Sequence, residues 1–344
     1  MNKRVMLGMS GGVDSSVAAY LLKQKGYEVT GMTMRLCLEN TTDIGDAKRV
    51  AEALEIPHSS ADFSEKFEQT VISDFVSCYK SGGTPNPCVV CNKHIKFGEM
   101  LEYALSQGID YIATGHYARI ELGENNRRLL LKAKDETKDQ TYFLYTLTQH
   151  QLAHTLFPLG EYSKSEIREI ASEQTLVNAK KRDSQDICFV SDGDYASFIQ
   201  NYTGECFSKG NFVDLCGNVL GEHNGIIKYT VGQRKGLGIA LGKPAFVCSK
   251  DPESNTVVLG EDKDLYSSAL TAHSVNLISC EKIEKPMRVL AKVRHNQKEQ
   301  PAIAYEIGEG RIRVEFDTPQ RAISRGQSVV LYDGDIVVGG GIID

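Results

Sequence analysis

The run Val5-Met6-Leu7-Gly8-Met9-Ser10-Gly11-Gly12-Val13-Asp14-Ser15-Ser16 joins an apolar strand to the first turn of a helix through two glycines. Residues 5–9 suit a strand buried on both faces, and residues 13–26 carry apolar side chains at helical spacing and stop at a glycine. Glycine lets the backbone turn tightly and approach a ligand with no Cβ in the way. The N–H groups at the helix start, with the hydroxyls of Ser10, Ser15 and Ser16, then form a nest for a phosphate or pyrophosphate. Asp14 is out of place beside a phosphate unless a magnesium ion or the helix terminus offsets its charge. A glycine turn capped by serine or aspartate is the plain alternative, and the full run after a buried strand is far more specific than that.

Working outward, the first 200 residues alternate strand and helix. Strands are expected at 27–34 and 111–114 and an extended piece at 57–63, with helices at 43–54, 65–80 and 97–107 and a glycine-proline loop at 82–87. That alternation implies an α/β domain with a parallel sheet covered on both faces. After about residue 202 glycines become frequent and short β-rich runs appear at 245–248 and 256–259. From about 271 onward, runs at 288–294, 302–307, 311–316 and 328–332 read as successive strands, with turns at Gly308-Glu309-Gly310 and Asp333-Gly334-Asp335. The expected organisation is an α/β N-terminal domain at 1–200, a small central domain at 201–270 and a C-terminal β-barrel at 271–344.

Composition narrows the class. A chain of 344 residues with 41% hydrophobic and 24% charged residues is an ordinary globular protein of two or three domains. No stretch approaches the roughly 18 apolar residues of a membrane span, and the apolar N-terminal run is too short for a secretory signal. A cytoplasmic protein without membrane association is expected. The net charge of −6 argues against non-specific coating of nucleic acid, while leaving room for a local basic surface.

Nine cysteines, an odd number, point to reduced thiols, metal ligands or catalysts rather than a disulfide framework. Cys88 and Cys91 lie in Thr84-Pro85-Asn86-Pro87-Cys88-Val89-Val90-Cys91-Asn92-Lys93, and Cys188 lies in Asp183-Ser184-Gln185-Asp186-Ile187-Cys188-Phe189. Two prolines stiffen the approach to the first pair, as a loop holding a thiol in place would need. Lys93, His94 and Lys96 would favour thiolates nearby. A C-x-x-C pair is also half of a zinc knuckle, although no second pair follows. From spacing alone, catalysis, an iron–sulfur site, structural zinc and plain thiols all stay open.

The loop at 10–16 resembles that of the ATP pyrophosphatases, which include GMP synthetase, argininosuccinate synthetase and tRNA thiolation enzymes. The whole chain resembles the bacterial tRNA-specific 2-thiouridylases, through residues 8–16, 84–97, 113–117, 138–144, 183–189, 229–238 and 339–342. The resemblance implies a PP-loop fold of the adenine nucleotide hydrolase type. It also implies ATP and Mg²⁺ as cofactors, cleavage of ATP to AMP and pyrophosphate, and thiolation of the wobble uridine, U34, in tRNAs for lysine, glutamate and glutamine. The ATP site would comprise Gly8, Met9, Ser10, Gly11, Gly12, Val13, Asp14, Ser15 and Ser16, with Met34 and Gly115 against the adenosine. Cys91 would be the nucleophile and Cys188 the carrier of a persulfide, its sulfur supplied by a cysteine desulfurase or a sulfur-relay protein. The family usually has aspartate where this chain has Cys88, so an acid–base role there is in doubt. Cys88, Cys91 and Cys188 could instead hold a 4Fe–4S cluster with one iron left for sulfide. The other six cysteines match no family motif and read as small buried hydrophobes.

The target base must leave the anticodon stack to reach the ATP. By the same resemblance, Asn86, Pro87 and Cys88 would contact that base, and His116, Lys138, Asp139, Gln140, Arg294, His295 and Gln327 the tRNA. On chemistry alone, His116 could be a histidine hydrogen-bonded under a strand end, and residues 138–140 a solvated turn. The cluster Lys180-Lys181-Arg182 could meet RNA phosphates or simply be a solvated face. Two rivals stand beside this reading. One is a different ATP pyrophosphatase that adenylates a small carbonyl substrate; the other is a tRNA-binding protein with structural zinc.

Overall fold

The computed structural model describes residues 3–37, 42–176, 187–190 and 193–344. The N-terminal part carries β1 (Arg4–Gly8), β2 (Glu28–Arg35), β3 (His58–Asp62), β4 (Tyr111–Ala113), a hairpin of β5 (Arg119–Leu122) and β6 (Arg128–Leu131), and β7 (Thr155–Leu156). Next come β8 (Gly210–Val213), β9 (Val219–His223), β10 (Phe246–Asp251) and β11 (Thr256–Gly260). Last are β12 (Tyr266–Leu277), β13 (Met287–Lys292), β14 (Gln300–Gly308), β15 (Arg311–Arg321), β16 (Ser328–Asp333) and β17 (Ile336–Ile343).

Strands β3-β2-β1-β4-β7 form a parallel sheet with β1 at its centre. The period-2 alternation of a strand sends Val5 and Leu7 to one core and Met6 to another. The first face is covered by α1 (Val13–Gln24) and the helix Lys164–Glu173, through Val17, Ala18, Ile167 and Ala171. The second face receives Met100, Leu101 and Ala104, and also Val330, Tyr332 and Val337 of the barrel. Sheet and barrel therefore share one core.

The barrel runs β12-β15-β14-β13-β16-β17 and closes where β12 pairs with β17. Hairpin β5–β6 extends its sheet through the pair Ile336–Leu131. Three sequence expectations change here. Strand β17 is not among the expected strands: Gly339-Gly340-Gly341 carries no side chains to alternate, yet closure of the barrel packs His273 O and Tyr145 where side chains would stand. The stretch 97–107 is only the end of a helical segment starting at Pro87: an α-turn Pro87–Cys91, a π-helix Asn92–Glu99 and an α-helix Met100–Ser106. Cys88 and Cys91 thus stand on a helix, not a loop; Pro87 at its first turn is a helix-start signal rather than a break. Finally, none of Cys37, Cys78, Cys206, Cys216, Cys248 and Cys280 is fully buried, and Cys206 and Cys216 are exposed. Cys78 lies on the helix Ser73–Lys80 and Cys248 on β10, while the other four stand outside helices and strands.

The hairpin is fixed to the barrel by Arg127, whose Nε donates to Ile278 O at 2.6 Å and whose Nη2 donates to Cys280 O at 2.8 Å and Leu277 O at 3.3 Å. Replacing it by methionine keeps the stem but removes its three donations, although Ile278 O still accepts from Gln149 Nε2 at 3.2 Å. Arg127→Met is expected to lower stability by about 2 kcal/mol, read as a lower urea midpoint; an unchanged midpoint would show that water replaces these bonds at no cost.

Candidate active site

Gly12 caps α1 in an extended conformation, and Gly11 has φ 67°, a left-handed setting that glycine alone adopts freely. Ser15 and Ser16, both buried, turn their hydroxyls inward and donate to Gly12 O at 3.1 and 2.9 Å. They brace the turn, so the anion nest is made mainly by backbone N–H groups, the first of which have no acceptor within a helix. Gly115 lies directly behind, where a Cβ would come within 3.0 Å of Ser15 N. Met34 packs close by, its Cε 3.7 Å from a Cβ built at Gly8.

Asp14 has partners that the sequence did not announce. Lys164 Nζ lies 2.8 Å from both carboxylate oxygens, and the Tyr117 hydroxyl donates at 2.8 Å. Lys164 sits in the first turn of its helix, behind a capping box in which Ser163 and Glu166 satisfy each other's backbone N–H groups. The Ser163-x-x-Glu166 pattern could have revealed the helix start; nothing in the sequence links Lys164 to Asp14. As the loop's only carboxylate, Asp14 is held by these partners, so a magnesium ion here would be carried by phosphates rather than by a protein cage.

Cys91 is buried, whereas Cys88 and Cys188 are exposed. All three thiols interact electrostatically, and burial among protein atoms pushes each upward, Cys188 to about 12 with the other two thiols adding to the rise. Cys88 and Cys188 thus reach solvent while many protein atoms lie around them. Lys96 alone among the neighbouring bases opposes the rise, and burial outweighs it. The expected thiolate-favouring effect of Lys93 and His94 is therefore not realised: Lys93 points to solvent. Among the described residues no three His, Cys, Asp or Glu side chains form a group able to hold a metal ion. As placed, the thiols do not fit a cluster or a zinc ion.

Residues 3–192 match the family described as the tRNA methyl transferase HUP domain, 196–261 its PRC-barrel domain, and 267–343 the aminomethyltransferase β-barrel domain. The tRNA-specific 2-thiouridylase MnmA of Clostridioides difficile is 52% identical over 100% of this chain and 99% of its own length. That of Acetivibrio thermocellus is 53% identical over 99% of each. The chain belongs to the tRNA-specific 2-thiouridylase family.

Seen as a 2-thiouridylase, the remaining candidate residues fall into two groups. Several are engaged within the protein: His116, buried between Phe97 and Phe157, lies 2.7 Å from Thr114 Oγ1. Its basicity is lowered by burial and by Lys96. Asp139 is buried and accepts from Thr141 Oγ1 at 2.6 Å and Ala133 N at 3.1 Å, and Gln140 Oε1 accepts from Tyr117 N at 2.9 Å. Arg294 Nη2 donates to Val231 O, Ala322 O and Ser324 Oγ, joining the central domain to the barrel. The second group is more open: Lys138 is half-buried, and His295 lies against Phe143 with centroids 4.4 Å apart and the rings tilted by 33°. Asn86 and Pro87 head the cysteine helix. The cluster 180–182 and residues 183–186 lie outside the described residues.

Two outcomes follow. Lys164→Met leaves the Asp14 carboxylate facing the phosphate nest, and is expected to weaken ATP binding by about tenfold or more. Asp14→Asn added to it should recover part of the loss; calorimetric titration in which the double variant binds no better than Lys164→Met would refute the electrostatic account. Because its pKa is raised, the Cys188 thiol is neutral at pH 7.5. Its alkylation rate should climb about tenfold per pH unit beyond pH 9; a plateau near pH 8, measured by mass spectrometry, would contradict this.

Proposed function

We propose that this chain is a tRNA-uridine 2-sulfurtransferase: it couples cleavage of ATP to AMP and pyrophosphate with replacement of O2 of the wobble uridine by sulfur. The observation that carries this is the combination, in one α/β domain, of an anion nest at α1 with an exposed cysteine, Cys188, in electrostatic contact with a buried one, Cys91. Whole-length identity of about half to named 2-thiouridylases supports the same assignment.

In the proposed reaction the α1 N-terminus holds the ATP phosphates, and O2 of the flipped uridine attacks the α-phosphorus. Pyrophosphate departs, leaving an O2-adenylated base whose C2 carries AMP as a leaving group. Cys188, accessible from solvent, receives a sulfane sulfur from a cysteine desulfurase or a relay protein and carries it as a persulfide. The sulfur reaches C2 directly or after release as sulfide, and AMP leaves with the O2 oxygen. Cys91 attacks the inner sulfur of the persulfide and forms a disulfide with Cys188, which an external thiol must reduce. Cys88 stands beside both and, as a neutral thiol, would serve as a proton donor where relatives of the family usually carry a carboxylate. The family's substrates suggest tRNAs for lysine, glutamate and glutamine.

The test is reconstitution with tRNA, ATP, cysteine and a desulfurase, reading 2-thiouridine and pyrophosphate separately. Cys188→Ser and Cys91→Ser should abolish 2-thiouridine while pyrophosphate release persists. Retained thiolation by Cys188→Ser would sink the persulfide route.

A further inference from the structure

The segment leading into the cysteine helix is a junction of all three domains. From the barrel, Gln327 Nε2 donates to Thr84 O at 3.0 Å and to Pro85 O at 3.1 Å. Arg325 O accepts from Thr84 N at 2.8 Å. From the central domain, Lys250 Nζ donates to Gly83 O at 3.3 Å, and Pro252 packs on Gly82, 3.0 Å from where a Cβ would be. Gln327 is itself rigidly held, since its carbonyl accepts from Ile343 N at 2.8 Å and its N–H donates to Ser324 O at 3.2 Å. Asn86 and Pro87 follow at once as cap and first residue of the helix that bears Cys88 and Cys91. With proline fixing the first turn, a shift of residues 83–85 has no slack in which to dissipate before Cys88.

A glutamine amide nitrogen has two hydrogens. Both of Gln327's are engaged by protein carbonyls, leaving only its oxygen for RNA. Lys250 lies with its ammonium largely enclosed, and burial lowers its pKa to about 8, as fits a donor to a neutral carbonyl rather than a phosphate contact. We propose that Gln327 and Lys250 are positioning residues: through residues 83–85 they hold the cysteine helix so that Cys91 stays within reach of Cys188. This deepens the sulfur-transfer reading and rests on it for its consequence, though not for its geometry.

The test uses the full chain carrying Gln327→Met, which keeps the volume but removes both donors, and separately Lys250→Met with Lys250→Arg as the conservative control. Hydrogen exchange, which needs neither ATP nor RNA, should show about tenfold faster exchange in residues 83–91 in both methionine variants. Exchange near wild type should return in Lys250→Arg. In single-turnover sulfur transfer at saturating tRNA, Gln327→Met should be slower by about tenfold while the tRNA dissociation constant stays within about twofold. Weakened tRNA binding with a normal rate at saturation would make Gln327 an RNA contact and overturn the proposal. So would unchanged exchange in residues 83–91. A wild-type chain that thiolates no tRNA would instead defeat the functional reading, and the exchange measurement would still decide the clamp.

Discussion

A carboxylate at the mouth of an anion-binding loop is a liability unless its charge is answered, and in this chain Lys164 and Tyr117 answer it. Both Lys164–oxygen distances are 2.8 Å and the lysine is nearly enclosed, its side chain only 11% exposed. The pair does more than neutralise. It ties the first turn of α1 to a helix 150 residues further along the chain and to the strand-end segment around Tyr117. Gly115 lies against the backbone at Asp14 and Ser15, and the helix Lys164–Glu173 packs on the same apolar cluster as α1 and β1. Breaking such a pair on one side leaves a charge where phosphate charge must accumulate, which is costlier than never having placed it there.

From that anchored face the rest of the molecule is assembled by shared cores rather than by loose attachment. Tyr332 and Val337 of the barrel lie in the same apolar cluster as Met6 of β1. Phe212 and Val257 of the central sheet share a cluster with Cys91 and Ile95 of the cysteine helix. Tyr142 donates to Ser328 O at 2.9 Å, and Asn276 Nδ2 donates to Tyr145 O at 2.7 Å, so polar bonds reinforce the apolar contact between sheet and barrel. A helix that carries Cys88 and Cys91 while packing into two such cores is expected to move with its neighbours and not independently of them.

The strand-glycine-helix start, the parallel sheet and the β-rich tail were legible in the sequence because each is a local pattern: a buried run, a helical period, turn residues between alternating strands. The closing strand β17 was not, since its three glycines look like a loop until the neighbours that crowd them are known. The pairing of hairpin β5–β6 with β17 joins residues about 200 positions apart and leaves no local trace. At the site, the phosphate loop stood out as a local strand-glycine-helix pattern, whereas the cysteines' spacing left their role open and only the family resemblance singled them out. Lys164 and Gln327 act through partners far away in sequence, and only the folded chain shows what their nitrogen atoms reach. Lys93 and His94 misled for the complementary reason: proximity in sequence says nothing about which side of a helix faces the thiols.

The placement of the cysteines governs how readily they ionise. A thiol held neutral is slow to be alkylated or oxidised at physiological pH, because the thiolate is the reactive species. Burial keeps Cys91 neutral and out of contact with solvent oxidants, while Cys188 combines a raised pKa with an open face. In the proposed reaction that open face would let Cys188 accept sulfur from another protein before it meets Cys91. In the proposed reaction Cys91 needs its proton removed only when the persulfide is loaded and the adenylated base is in place. Lys96 is the one cationic neighbour that opposes the rise of all three thiols, and burial outweighs it.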